Sequence, residues 1–422
     1  MKPLQNRTVA VTGIGVVAPG GVGVDEFWRS LFAPAVDGAV RRVDEERLNA
    51  RRLMTHKAAK NADINVHFAV VAADEALRDA GLLADAPHDG PAESDVQPLA
   101  PAVDLDRAAV SMGTGIGGIQ TFAVQADVLR DRGERLVSPH TVPMVMPNAA
   151  AGALSIRFGM RGAASTVTTA CAAGTDAIAS GARLIAQGTA DVVLAGGTDS
   201  SLTPVCLAGF ANMRALSKSG ISRPFDRDRD GLAASEGCGM LVLEPLDDAV
   251  ARGAHIYMTI EGAASTADAY HVTAPAPNGR GAERTMRLAL DDAGLSPEDI
   301  THINAHGTST GLNDAAESEA VARLFGDWRP VLTSIKGVTG HSFGAAGAIE
   351  AVAVALTIAN HTIPPTAGLV NQDEAITLDI AQDARPWVPG PVLSNSFGFG
   401  GHNGSLVFVP APAPVSSPAP VA

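Results

Sequence analysis

The chain has 422 residues, enough for a large core and for two domains or one duplicated domain. Hydrophobic residues make up 46% and charged ones 18%, which excludes a disordered chain. A net charge of −14 and an aromatic content of 4% argue against nucleic acid, whose phosphates attract cations and whose bases stack on rings. No apolar run is long enough to cross a membrane, and the start MKPLQNRT has no apolar signal segment. The three cysteines, Cys171, Cys206 and Cys238, fall in no metal-ligand spacing and make no disulfide framework. A cytoplasmic protein with no metal and no membrane partner is expected.

In chain order, RTVAVTGIGVVAPGG reads as a strand, a Gly turn and a loop, followed by a helix near Val24–Leu31. Residues Val66–Gly81 are strongly helical, and the Pro- and Asp-rich Ala84–Asp104 reads as a surface loop. RAAVSMGTGIGG is a strand ending in glycines. Helices are predicted near Gln120–Asp131 and Ala149–Phe158, and a strand at DVVLAGG. Arg214–Gly231 is loop-like, and HIYMTIEGAAS opens a second series of strands and helices. The terminal APAPVSSPAPVA is a Pro/Ala tail expected to be disordered. Ala76–Leu82 (ALRDAGL) and Ala289–Leu295 (ALDDAGL) end two helices, half a chain apart, and each precedes a loop, a strand and a turn of small residues. The repeat predicts two similar α/β halves, each with a mainly parallel sheet.

In TVTTACAAGTDAI a β-branched run turns into small residues and an amphipathic helix, which places Cys171 at a helix N-terminus. There the macrodipole favours the nucleophilic thiolate, and Ala170, Ala172, Ala173 and Gly174 leave room for a substrate carbonyl. The alternative is a buried cysteine packing as a small hydrophobe. Two motifs compete with it. Gly113–Gly118 (GTGIGG) fits the dinucleotide spacing, but no acidic strand end follows about 20 residues on. Gly340–Gly344 (GHSFG) fits a serine nucleophile elbow, with His361 or His402 as base to Ser342; the five residues between VLTSIK and the serine argue against it.

His306, in NAHGTST, and His341 both sit in turns among Gly and hydroxyl residues. Two neutral imidazoles can donate Nε2–H to one thioester oxygen and stabilise it as an enolate forms, with Lys336 as a nearby ammonium. The glycines of NSFGFGGHNG free backbone N–H groups to face a ligand, which beside a nucleophile reads as an oxyanion hole.

These motifs, with SRPFDRDRDGLAASEG, DAYHVTAP and SIKGVTGHSFGAAGAIEA, make the chain resemble an elongating β-ketoacyl-acyl-carrier-protein synthase of the KAS II type, or a type II polyketide ketosynthase alpha subunit. The resemblance runs nearly end to end. It implies a thiolase-like α/β fold, two similar halves stacked as α-β-α-β-α, divided as residues 1–260, 261–410 and a tail at 411–422. It implies that Cys171 takes an acyl chain from acyl carrier protein, and that His306 and His341 assist decarboxylation of the malonyl thioester. Lys336 and Glu350 would form a supporting polar network. The N–H groups of Cys171 and Phe399 would form the oxyanion hole, with Phe399 as gate. Thr273, Thr308 and Thr310 would line the pantetheine path; Lys57, Lys60, Arg135 and Arg214 would dock the carrier. No cofactor is expected beyond the carrier's phosphopantetheine, and the partner is a second copy or a chain-length-factor-like subunit.

Three positions depart from the family's usual pattern. Gly311 stands where HGTST is usually followed by Pro, His140-Thr141 where an aromatic pair follows Ser138-Pro139, and Asn61-Ala62-Asp63 before the first long helix. Thr141 and Ile116 are therefore expected to reshape the acyl pocket at the subunit interface, towards a specialised polyketide or polyene substrate. A serine acyltransferase using Ser342 and a non-catalytic partner subunit are the alternatives.

Overall fold

The structure is a computed structural model that describes residues 7–83, 92 and 94–411. The tail expected at 411–422 lies outside the described residues except for Ala411, as do residues 84–91 and 93 of the expected loop. Ten strands form one path through the main sheet. The first five are β1 (Val9–Ala18), β2 (Ala108–Gly113), β3 (Ala164–Val167), β4 (Val192–Asp199) and β5 (Gly237–Pro245). The second five are β6 (Met258–Ala267), β7 (His302–Asn304), β8 (Val331–Thr333), β9 (Val392–Gly398) and β10 (His402–Pro410).

Their order is β8-β7-β9-β10-β6-β1-β5-β4-β2-β3, so each half repeats the other outward from the central β1–β6 pair. The duplication extends to irregularities. β1 skips one residue of register at Thr12, and β6 one at Glu261. Such bulges re-aim a strand. A Cβ on Gly13 would stand 2.2 Å from the Ala76 carbonyl oxygen, and one on Gly262 2.2 Å from that of Ala289. These are the two helix ends whose sequences repeat. Asp79 accepts from Ile14 N–H and Asp292 from Ala263 N–H, each at 2.9 Å.

Each half is less parallel than expected. β2–β3 and β2–β4 are parallel, but β4–β5 and β1–β5 are antiparallel, and the second half repeats this. The physical reason is clearest at β9 and β10: only Phe399–Gly401 lies between them, and so short a link cannot make a parallel crossover.

Helices cover both faces. Outside the first half pack α1 (Ile64–Asp79) and, further along, α4 (Ala149–Phe158); between these in sequence lie α2 (Ile119–Arg132) and α3 (Thr141–Val145). Next come α5 (Ala173–Ala186) and α6 (Pro204–Asn212). Outside the second half lie α7 (Arg280–Ala293) and α8 (Gly311–Phe325). The short α9 (Lys336–Thr339) then leads to α10 (Ala346–Ala359). The middle layer is α5 against α10, both rich in Ala and Gly, with Ile178, Ile349 and Val352 in one core with Val11, Val193 and Phe408. Small side chains allow this close approach, and the result is the expected α-β-α-β-α stack.

Candidate active site

The loops that leave β3, β7, β8 and β9 converge at the N-terminal end of α5 and α10, a crevice outside strand ends where α/β proteins place ligands. Cys171 follows β3 in a one-turn 3-10 helix, Ala170–Ala172, that runs into α5. The position at a helix start is as expected. The thiolate is not: burial is the largest effect and raises the Cys171 thiol to about 12. The Lys336 ammonium and the N–H groups of Phe399 and Cys171 pull the other way without overcoming it. A dry pocket disfavours charge more than a helix end favours it.

His341 Nε2 lies 3.1 Å from Cys171 Sγ. His306 joins them: the donor atoms of Cys171, His306 and His341 all lie within 4.8 Å of one another, and all three residues are buried. The imidazole rings meet edge to face, centroids 5.2 Å apart. Burial, then the Lys336 charge, holds both histidines well below the usual histidine range, so both are neutral. Lys336 is fully buried; its ammonium pairs with Glu350 and donates to the His306 carbonyl at 2.5 Å. Burial raises Glu350 to about 7, and the adjacent ammonium draws it back.

The rest of the predicted set divides. Phe399 borders Cys171: a Cβ on its neighbour Gly398 would stand 3.0 Å from the Cys171 nitrogen, so the two turns lie in close contact. Thr308 and Thr310 share a 2.9 Å hydroxyl contact, and both line the cavity that reaches Cys171, as do Thr273 and Arg214. Lys57, Lys60, Arg135 and Arg214 are exposed. Ile116, also exposed, and Thr141 do not line this cavity within a single chain.

Both decoys have structural explanations. Gly113 lies so close to α5 that a Cβ would meet the Ala173 carbonyl at 2.3 Å, so its glycine serves helix packing rather than a phosphate. The GHSFG turn is the second half's copy of the Cys171 turn. Ala170 (φ 50°) and Phe343 (φ 47°) each begin a 3-10 turn and then a 14-residue helix, and Cys171-Ala-Ala-Gly corresponds to Gly344-Ala-Ala-Gly. Among the described residues no hydrogen bond joins Ser342 to His361 or His402. The AAG repeat was available in the sequence as a signal for this.

Sequence reasoning missed the groups that hold the turns. Buried Glu317 on α8 accepts from His306 N–H (2.9 Å) and Gly307 N–H (2.8 Å). Buried Asp199 accepts from Gly115 N–H (2.7 Å) and Gly344 N–H (3.2 Å). Arg41, also buried, donates to the carbonyls of Gly337 (2.9 Å) and Val338 (2.8 Å) in α9. Nothing in local sequence links these residues to the turns they hold.

A cysteine, two neutral histidines and two backbone N–H groups around one buried point define a condensing-enzyme site on a thiolase-like fold. The comparisons with known proteins give the family. Residues 6–66 and 53–249 match the family described as beta-ketoacyl synthase, N-terminal domain, and residues 257–370 its C-terminal domain. The chain belongs to the β-ketoacyl synthase family. It is 40% identical to 3-oxoacyl-[acyl-carrier-protein] synthase 2 of Synechocystis sp., over 97% of this chain and 99% of the relative. Among solved structures, the ishigamide ketosynthase/chain length factor matches with a TM-score of 0.85 at 33% identity, over 96% of this chain and 100% of that one. A type II polyketide ketosynthase in complex with its acyl-carrier protein (AntDE:AntF, bound to the hexaketide) matches with a TM-score of 0.82 at 30% identity, over 97% and 100%.

Proposed function

We propose that this chain catalyses decarboxylative Claisen condensation between an acyl group on Cys171 and malonyl-acyl carrier protein, giving 3-oxoacyl-carrier protein and CO₂. The observation that carries the proposal is the buried Cys171–His306–His341 cluster at the end of the cavity. First, Cys171 Sγ attacks the acyl thioester; the carbonyl bond to the pantetheine sulfur breaks, and that sulfur leaves with the cysteine's proton. Next, the malonyl thioester loses CO₂, and the bonding electrons pass into an enolate. The Nε2–H groups of His306 and His341 hold its oxygen, which needs both rings neutral. The enolate carbon then attacks the acyl-Cys171 carbonyl. The N–H groups of Cys171 and Phe399 hold the oxyanion until it collapses and expels the cysteine sulfur, which takes up one proton from water to restore the thiol. The burial of Cys171 limits the access of water to the acyl-enzyme. Lys336 and Glu350 fix the floor of the site through the His306 carbonyl.

The partners in this reading are acyl carrier protein and a second subunit, either another copy or a chain-length-factor-like chain. An apolar surface on α2, α3 and α4, with Phe122, Val142 and Ile156 more than half exposed, supports a subunit contact near Ile116 and Thr141. A specialised polyketide substrate is favoured by the His140-Thr141 departure there.

Intact-protein mass after incubation with a panel of acyl-carrier proteins, with and without a co-purified partner, tests the proposal. Wild type gains one acyl group on Cys171. Cys171→Ala gains none and makes no product, whereas Cys171→Gln still releases CO₂ without condensation. Product formation after alkylation of Cys171, or fluorophosphonate labelling of Ser342, would overturn it. A chain that binds carrier protein yet never forms acyl-Cys171 would be the non-catalytic subunit instead.

A further inference from the structure

Phe210 on α6 and Phe343 before α10 lie flat against each other, ring centroids 4.7 Å apart and planes 8° from parallel. Phe343 also leans on His341 at 5.2 Å. Both line the cavity of about 360 Å³ that reaches Cys171, together with Phe397 and Phe399. The chain has only 12 phenylalanines, so a third of them meet at one cavity in a molecule otherwise packed with Ala and Gly.

The turn itself does not require the ring of Phe343. Its counterpart Ala170 makes the same left-handed turn with a methyl group, at φ 50° against 47°. A bulky residue at such a φ is strained, and strain of this kind persists where it serves a site. The ring packs with Phe210, Leu202 and Leu232 in a small core, and the same pair also lines the cavity beside Cys171.

We propose that the Phe210–Phe343 pair is a specificity wall that selects flat, conjugated acyl chains over saturated chains of the same length. The inference rests on the reading of Cys171 as the acyl acceptor. Two physical effects point the same way. A conjugated chain presents a planar π-face that stacks on aromatic rings. It is also rigid, so it enters a narrow slot with little torsional entropy to lose, whereas each methylene of a saturated chain must be frozen. Phe210 sits on a helix whose outer face is solvent-exposed at Val205, so the wall is built from the surface inward and not from the rigid middle layer.

The test compares acylation of Cys171 by octanoyl and octa-4,6-dienoyl pantetheine thioesters, followed by intact mass over time. The double bonds are remote from the carbonyl, so the two thioesters have the same intrinsic reactivity, and no carrier docking is involved. The readout is the ratio of the two rates, in which any general loss of activity cancels. Wild type should favour the diene about three- to ten-fold. Phe343→Leu and, independently, Phe210→Leu should bring the ratio close to one. A wild-type ratio of one or below, or a ratio unchanged in both variants, would overturn the wall while leaving the condensing-enzyme reading intact. Labelling by neither thioester, with carrier-bound donors also leaving Cys171 free, would overturn both.

Discussion

The imidazoles of His306 and His341 stand 5.2 Å apart, centroid to centroid, both buried where the cavity reaches Cys171. Burial holds both well below the usual histidine range, so neither gains a proton as pH falls through the ordinary histidine value. Their proposed task, donating Nε2–H to an enolate oxygen, uses the neutral form. The rate of malonyl decarboxylation should therefore stay level between about pH 8 and pH 6, where an exposed histidine pair would titrate. A sigmoidal loss centred near the ordinary histidine value would contradict this. His306→Ala or His341→Ala should still permit some acyl-Cys171, because acyl transfer does not require the enolate. The double variant should release labelled CO₂ at least about 10²-fold more slowly. Release at the wild-type rate would remove both histidines from the decarboxylation step.

At the scale of the element, β7 carries an unusual group at its head. His302 is buried, and among the described residues neither ring nitrogen has a hydrogen-bond partner; the ring meets Trp387 edge-on at 5.6 Å. Burial pushes its pKa down to about 3. The unfolded chain, with a pKa of about 6.5, binds the proton first. Stability from the neutral His302 is thus fully present above about pH 6.5 and is lost as pH falls towards 3, at roughly 1.4 kcal/mol per pH unit. His302→Phe keeps the ring contact and removes both the titration and two unsatisfied buried polar atoms, each of which costs about 1–3 kcal/mol. Thermal unfolding midpoints measured at neutral and mildly acidic pH should fall less for this variant than for wild type. Parallel falls would place the acid sensitivity elsewhere.

For the whole molecule, a net charge of −14 would repel an acidic carrier protein unless a local basic face receives it. Lys57, Lys60, Arg135 and Arg214 are exposed, and Arg214 also lines the cavity that reaches Cys171. If they dock the carrier, the attraction acts mainly on encounter rate and is screened by salt. Charge reversal at Lys57 and Lys60, which are exposed and do not line the cavity, should raise the KM for carrier-bound substrates several-fold at low salt, with less effect at high salt. Small pantetheine thioesters should react as with wild type. Equal effects on both substrate types would assign these residues to something other than docking.

Neighbouring residues along the chain were enough to read the local elements and the chemical inventory. Period and small-residue runs placed the strand before Cys171 and the helix after it, and the helix Ala149–Phe158 to the residue, because these signals are written in neighbouring side chains. The repeated ALRDAGL and ALDDAGL gave the duplication, and the structure adds the paired glycines and aspartates that lock each helix end to a bulged strand. Tertiary structure alone decided three things. Strand direction followed from how far each connection must travel, so five of the nine pairings along the path came out antiparallel. The charge state of Cys171 followed from burial among residues distant in sequence, which no helix-end argument can weigh. The supports of the site, Glu317, Asp199 and Arg41, and the facing rings of Phe210 and Phe343, are joined only by the fold. Hydrogen bonds and ring stacking depend on distance in space, and one linear sequence does not state it.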